Sequence, residues 1–244
     1  MIRQLALPFP HAPDFSRALF LEAPSNQDAV TWLGRDEDWP QRRMALWGEA
    51  GSGKSHLLHR WAQRKHASLM AGASLRPSLA PPNRPVALDD ADLAPERPLL
   101  HLLNAATEAG LPVLLAGRQP PSRWQTSLPD LASRLRSVMA IRIRPAEQEL
   151  LDRLLAALFV DRQLQVPEAI QAFLLRHLPR DAASLREAAA RLDRLTLAHG
   201  RRVNRALAAE VVAELADNDD NSMLFDADLA YATPLTSPHS PGFL

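Results

Sequence analysis

Gly48-Glu49-Ala50-Gly51-Ser52-Gly53-Lys54-Ser55 is a full G-x-x-x-x-G-K-[ST] string. Apolar Met44-Ala45-Leu46-Trp47 precedes it and an amphipathic stretch from Ser55 to Arg64 follows, which is the strand, loop and helix context that this motif requires. The glycines allow successive backbone N–H groups to turn inward around phosphate oxygens, and the helix N-terminus adds its partial positive charge. Lys54 supplies a point charge to the β/γ oxygens, and the Ser55 hydroxyl can ligate Mg²⁺. Only two lysines, Lys54 and Lys65, stand among 26 arginines, so a compact ammonium at this position is informative. Together with His56 at the start of the helix, Gly48 through Ser55 form the candidate site for ATP or ADP. The competing reading is a glycine-rich turn that happens to open a helix.

A second acidic element lies about 35 residues on. Val86-Ala87-Leu88 runs into Asp89-Asp90, the pattern of a Walker B strand. Asp89 would hold Mg²⁺ through water, and Asp90 stands where a catalytic base polarises attacking water. The alternative is a solvated acidic turn, since Asp92 is also close.

The elements that must position these groups alternate. Short apolar runs at 44–47, 68–71, 86–88, 112–116 and 138–143 read as five strands, with helical stretches between them. Strands alternating with helices imply an α/β domain whose parallel five-stranded sheet is sandwiched by helices. After Pro145 the apolar period becomes helical through 147–162, 167–178, 182–198 and 203–215, so a small all-helical domain follows. The expected organisation is an extended arm at 1–14, the α/β domain at 15–145, the helical domain at 146–216 and a tail at 217–244. The tail holds five aspartates without Lys or Arg, is aperiodic, and is expected to be disordered.

Composition removes several classes of function. The 28 basic and 28 acidic residues balance, which excludes a simple polycation; without the tail, 28 basic groups face 23 acidic ones. Cysteine is absent, so disulfides, thiolate metal sites and cysteine nucleophiles are excluded. No run of 18 apolar residues exists and the N-terminus lacks the long apolar stretch of a secretory signal. A soluble, cytoplasmic protein that spans no membrane is the expectation.

Gly53-Lys54-Ser55-His56-Leu57-Leu58-His59 resembles the DnaA family of AAA+ proteins, in which the phosphate loop runs into a His-Leu-Leu-His helix start. Pro24-Ser25-Asn26 resembles the family's nucleotide-contacting segment ahead of the core, and Leu114 to Pro121 resembles its sensor 1 strand with a double-proline turn. Leu128-Pro129-Asp130-Leu131-Ala132-Ser133-Arg134-Leu135 resembles the box VII segment that carries the family's arginine finger, which maps here to Arg134. The resemblance covers residues 4–215 and implies an AAA+ sheet followed by a helical lid. At the N-terminus, Gln4-Leu5-Ala6-Leu7-Pro8-Phe9 resembles the peptide with which regulators of this family dock on the sliding clamp. Gln4 would serve polar groups at the pocket rim, while Leu5, Leu7 and Phe9 offer apolar anchors on a backbone stiffened by Pro8. Core capping by the same residues is the competing reading.

The family's initiator continues past its lid into a helix-turn-helix domain; only the acidic tail follows here, so no such module fits. What the resemblance implies is a regulator that docks on the DNA polymerase III sliding clamp (beta subunit) on DNA. It would present Arg134 to ATP bound by DnaA and so inactivate the initiator. DNA contact would then be weak or indirect, and self-association stays open. Two departures bear on the chain's own hydrolysis. Arg118 replaces the sensor 1 aspartate, and the usual sensor 2 arginine maps to Ala183, with Arg180 and Arg186 out of register. An ADP-bound resting state follows from that mapping. The alternatives are an autonomous P-loop ATPase and a DnaA-like initiator or helicase loader that binds DNA.

Overall fold

Residues 20–77, 80–199 and 202–216 are described in a computed structural model of the chain. Helix α1 (Gln27–Leu33) leads into strand β1 (Arg43–Trp47), helix α2 (Lys54–Lys65) and strand β2 (Ser68–Ala71). Strand β3 (Val86–Asp89), helix α3 (Glu96–Glu108), strand β4 (Val113–Gly117), helix α4 (Pro129–Arg136) and strand β5 (Met139–Arg142) complete the α/β unit. The five strands pair in parallel in the order β2-β3-β4-β1-β5. The five apolar runs of the sequence are these five strands. They read as continuous apolar stretches because a parallel sheet is covered on both faces.

Alternation along each strand divides the core in two. Met44 and Leu46 of β1 and Leu114 and Ala116 of β4 face Ala29 and Leu33 of α1 and Leu57, Leu58 and Trp61 of α2. Ala45, Val113 and Leu115 face the other way, onto Leu99 and Leu103 of α3 and Leu131 and Leu135 of α4. The sheet is therefore sandwiched as expected from the alternation.

Helices α5 (Gln148–Asp161), α6 (Glu168–His177) and α7 (Ala182–His199) follow, then α8 at 205–216. They close on a third core of their own, with Leu154, Leu155 and Phe159 of α5 against Leu185, Ala189 and Leu192 of α7. Leu21 and Ala146 pack onto this cluster, so the segments on either side of the α/β unit join the lid to it. The clamp-docking residues Gln4, Leu5, Leu7, Pro8 and Phe9 and the acidic tail lie outside the described residues. Among the described residues, no helix is long and apolar enough to cross a membrane.

Candidate nucleotide site

The loops after β1, β3 and β4 leave the same edge of the sheet, because these strands run parallel and pair in register. That edge holds the phosphate loop, the Asp89-Asp90 pair and Arg118. Gly53 caps α2 at φ 97° and Gly51 sits at φ 73°, left-handed conformations that favour glycine. Gly48 is constrained by space: a Cβ there would lie 2.4 Å from the Ile143 carbonyl oxygen.

Lys54 turns back into its own loop. Its Nζ donates to the carbonyls of Gly48 at 2.9 Å and Glu49 at 2.6 Å, and reaches Ser52 Oγ at 3.4 Å. The side chain is buried, which pulls its pKa below the usual lysine value; Asp89, Asp90 and Asp92 oppose that shift and Arg118 adds to it. Carbonyl partners hold the ammonium within reach of the space that phosphate oxygens would fill.

Asp90 adopts a left-handed conformation, φ 45° and ψ 46°, at the turn after β3. Its carboxyl is raised above the ordinary aspartate value by partial desolvation and by Asp89 and Asp92, against the pull of Arg118 and Lys54. Asp89 Oδ1 accepts the Asp90 backbone N–H at 3.1 Å. A hydroxyl at Ser55 and carboxylates at the end of β3 suit Mg²⁺, which keeps waters and phosphate oxygens among its ligands. Among the described residues, no group of three or more His, Asp or Glu could hold a metal ion by itself.

The sequence marks Asp92 only as part of an acidic turn. Its Oδ2 accepts the Arg118 backbone N–H at 2.9 Å, and its carboxylate packs where a Cβ on Gly117 would stand, 3.3 Å from Asp92 Cγ. A carboxylate from the β3 side thus caps the turn after β4 that carries Arg118. The Arg118 side chain itself is on an exposed residue.

The lid brings an arginine to the cleft at a position other than Ala183. Ala183 is exposed near the start of α7, whereas Arg186, one turn on, enters the cleft. Its Nη2 donates to His56 Nδ1 at 2.9 Å, which assigns that nitrogen the acceptor role. Burial lowers the Arg186 pKa and Asp181 opposes the shift. A helix repeats every 3.6 residues, so positions 183 and 186 lie near one face of α7.

Phe20, Leu21, Leu151 and Leu154 line the same cleft beside Ser25 and Asn26. Asn26 braces this segment, donating from Nδ2 to the Leu21 carbonyl at 3.0 Å and accepting from the Ala23 N–H at 3.1 Å. Apolar walls with a few fixed polar groups suit a purine. Gly51, Ser52, Gly53 and His56 border the cleft, so the phosphate loop and this apolar end belong to one continuous site.

Arg134 lies elsewhere. It is in the last turn of α4, and β5 begins at Met139, which pairs with Met44 at the start of β1. The phosphate loop begins after Trp47, at the other end of β1. The last turn of α4 therefore stands at the edge of the sheet opposite the phosphate loop.

A family model for the lid domain of Hda matches residues 151–210. Among solved structures, domain III of the replication initiation protein DnaA from Thermotoga maritima aligns with 85% of this chain and 99% of that one, at TM-score 0.66 and 17% identity. AMPPCP-bound DnaA from Aquifex aeolicus aligns with 68% of this chain and 61% of that one, at TM-score 0.52 and 12% identity. The RuvB Holliday junction branch migration motor of Thermotoga maritima aligns with 78% of this chain and 69% of that one, at TM-score 0.57 and 17% identity. At these identities the structural likeness is one of fold.

Proposed function

We propose that this chain is an Hda- and DnaA-related AAA+ protein that regulates replication initiation by completing the hydrolytic site of DnaA; the lid-model match and the DnaA-like fold support that reading. In this reading it binds ATP or ADP with Mg²⁺ in the cleft between sheet and lid. Lys54 meets the phosphates, Ser55 and Asp89 serve the ion, and Asp90 and Arg186 flank the γ position. Gln4, Leu5, Leu7, Pro8 and Phe9 tether it to the DNA-loaded sliding clamp, and it works in the cytoplasm.

The observation that carries the reading is the separation of Arg134 from the chain's own phosphate loop. In this reading the guanidinium, at the far edge of the sheet from its own phosphate loop, enters the nucleotide site of an abutting subunit instead. There it would stabilise charge developing on the transferring phosphoryl oxygens, an effect worth ~10³–10⁵ in rate. The support from DnaA-like relatives is that one of them is a structure with AMPPCP bound. Conversion of DnaA-bound ATP to ADP in the presence of clamp-loaded DNA tests the proposal, with Arg134→Ala as the inactive control.

A second reading, an autonomous ATPase, is favoured by Arg186. It supplies from the lid the cation that turnover in cis requires. ATP turnover by the chain alone, without DnaA or clamp, separates the two.

A further inference from the structure

We propose that residues 224–229, in the acidic tail of this same chain, dock in an arginine-lined groove between α5 and α6 of the lid.

The groove encloses about 650 Å³. The buried faces of its two helices, Leu151, Leu154 and Leu155 on α5 and Ile170 and Leu174 on α6, go to the lid core. What remains outside builds the groove. Ala156, Ala172 and Leu175 supply its apolar part, and Arg153, Arg176 and Arg180 its cations. All three arginines are exposed.

These cations have no counter-ion in the lid. Elsewhere in it, Arg162 pairs with Asp161, Arg191 with Glu187 and Glu214, and Arg194 with Glu187. None of the ion pairs among the described residues includes Arg153, Arg176 or Arg180. Two carboxylates, Asp152 and Glu168, line the same groove. Asp152 Oδ1 accepts from Gln148 Nε2 at 2.8 Å, and Glu168 stands in the first turn of α6, where the helix N-terminus favours a negative charge. Each carboxylate is thus served by its own helix, and the three guanidinium groups are left for an anion from outside. A nucleic-acid backbone would meet the two carboxylates and gain nothing from the apolar part. An acidic peptide with apolar side chains suits both.

The tail has that chemistry. Residues 217–244 hold five aspartates and no Lys or Arg, while 28 basic groups face 23 acidic ones in the rest of the chain. Within it, Leu224-Phe225-Asp226-Ala227-Asp228-Leu229 sets two carboxylates among apolar residues. Reach is sufficient. Helix α8 ends at 216, and the residues from 217 to 224 span up to about 27 Å when extended. Ala208 and Val211 of α8 share one core with α5 and α6, and packed helices lie only about 8–10 Å apart. A tail tethered this close holds an advantage in effective concentration over any free acidic peptide.

The chain has no cysteine, so an introduced pair reports on one contact in the full-length protein. Ala227→Cys is combined with Ala172→Cys in the groove or, as a reference, with Leu197→Cys, 78% exposed on α7. The rate of disulfide closure under mild oxidation is read by non-reducing electrophoresis, which separates closed monomers from dimers. The groove pair should close at least about tenfold faster than the reference pair. Arg153→Glu/Arg176→Glu should bring it down to the reference rate. Asp226→Arg/Asp228→Arg alone, which leaves the folded lid untouched, should do the same, as should salt at about 1 M. Both reversals together should restore fast closure. Equal rates for the two pairs, a groove pair indifferent to either reversal, or a bond formed only between chains would overturn the proposal. Reversals at Arg153 and Arg176 that leave closure unchanged but weaken binding of a fluorescent single-stranded oligonucleotide would overturn it in favour of a phosphate backbone.

Discussion

Asp181 of the lid lies against Gly51 of the phosphate loop: a Cβ built on Gly51 would stand 2.5 Å from the Asp181 Cβ. Asp181 also caps α7, its Oδ1 accepting the N–H groups of Ala183 and Ser184 at 2.8 and 2.9 Å. One residue thus fixes the start of the helix that carries Arg186 and seats it on the loop that would carry the phosphates. Gly51→Ala should force the lid off this seat and strain a φ of 73°. A stability loss of about 1–3 kcal/mol is expected. ADP affinity should fall with it, and Asp181→Gly in the same chain should restore part of the affinity by removing the collision. Calorimetric titration of both variants with ADP checks this; an unchanged affinity in Gly51→Ala would refute the contact.

Lys54→Ala removes the point charge held by the Gly48 and Glu49 carbonyls. Affinity for ADP should drop by about two orders of magnitude. Thermal stability without nucleotide should not fall, because a buried cation leaves with the side chain. Co-purified nucleotide, released by denaturation and read by chromatography, gives the first readout.

Arg186→Ala should weaken ATP more than ADP, since the lid guanidinium lies beside the phosphate-loop helix through His56. A loss of about tenfold or more in the ATP-to-ADP affinity ratio is expected. Ala183→Arg, at the position chosen from the sequence, should not rescue it. Equal losses for both nucleotides would place Arg186 away from the γ position.

Asp90 gives a pH dependence with a definite sign. Its folded-state pKa is raised, by desolvation first and then by Asp89 and Asp92. The folded protein therefore holds this proton more tightly than the unfolded chain. The favourable contribution is fully present below the unfolded pKa and is lost as pH rises through the folded pKa. Asp90→Asn removes that loss, so its melting temperature should exceed wild type by about 1–2 °C at neutral pH. The difference should vanish in acid, below the carboxylate range. Melting curves between pH 3 and about 8 decide it; a gain that persists in acid would assign the effect to something other than this titration.

Legibility in the sequence followed physical locality. The phosphate loop was readable because eight consecutive residues carry it, from Gly48 to Ser55. The β strands were readable because burial on both faces leaves uninterrupted apolar runs, as in Val113 to Gly117. Helix α1 escaped notice: seven residues supply too few turns for a period to emerge. Arg186 was seen only as an arginine out of register with the family pattern, since its partner His56 is 130 residues away. Asp92 was seen only as part of an acidic turn, since its partner, the Arg118 N–H, is 26 residues away. Arg43 could not be singled out at all. At the start of a strand, next to Arg42, it resembles a solvated charge, and nothing local signals that it is buried with its hydrogen bonds on α3.

The central claim is that Arg134 acts in trans, and the direct measurement is the fate of DnaA-bound ATP over time with clamp-loaded DNA present. Arg134→Ala should bind ADP as wild type does, because its own phosphate loop is at the opposite edge of the sheet. Conversion of the partner's ATP should nevertheless fall by at least ~10³, since the guanidinium contributes only as charge develops on the phosphoryl group. Arg134→Lys should recover little of that rate, for want of the planar fork of donors. Wild-type conversion by Arg134→Ala, or loss of its own ADP, would contradict the account.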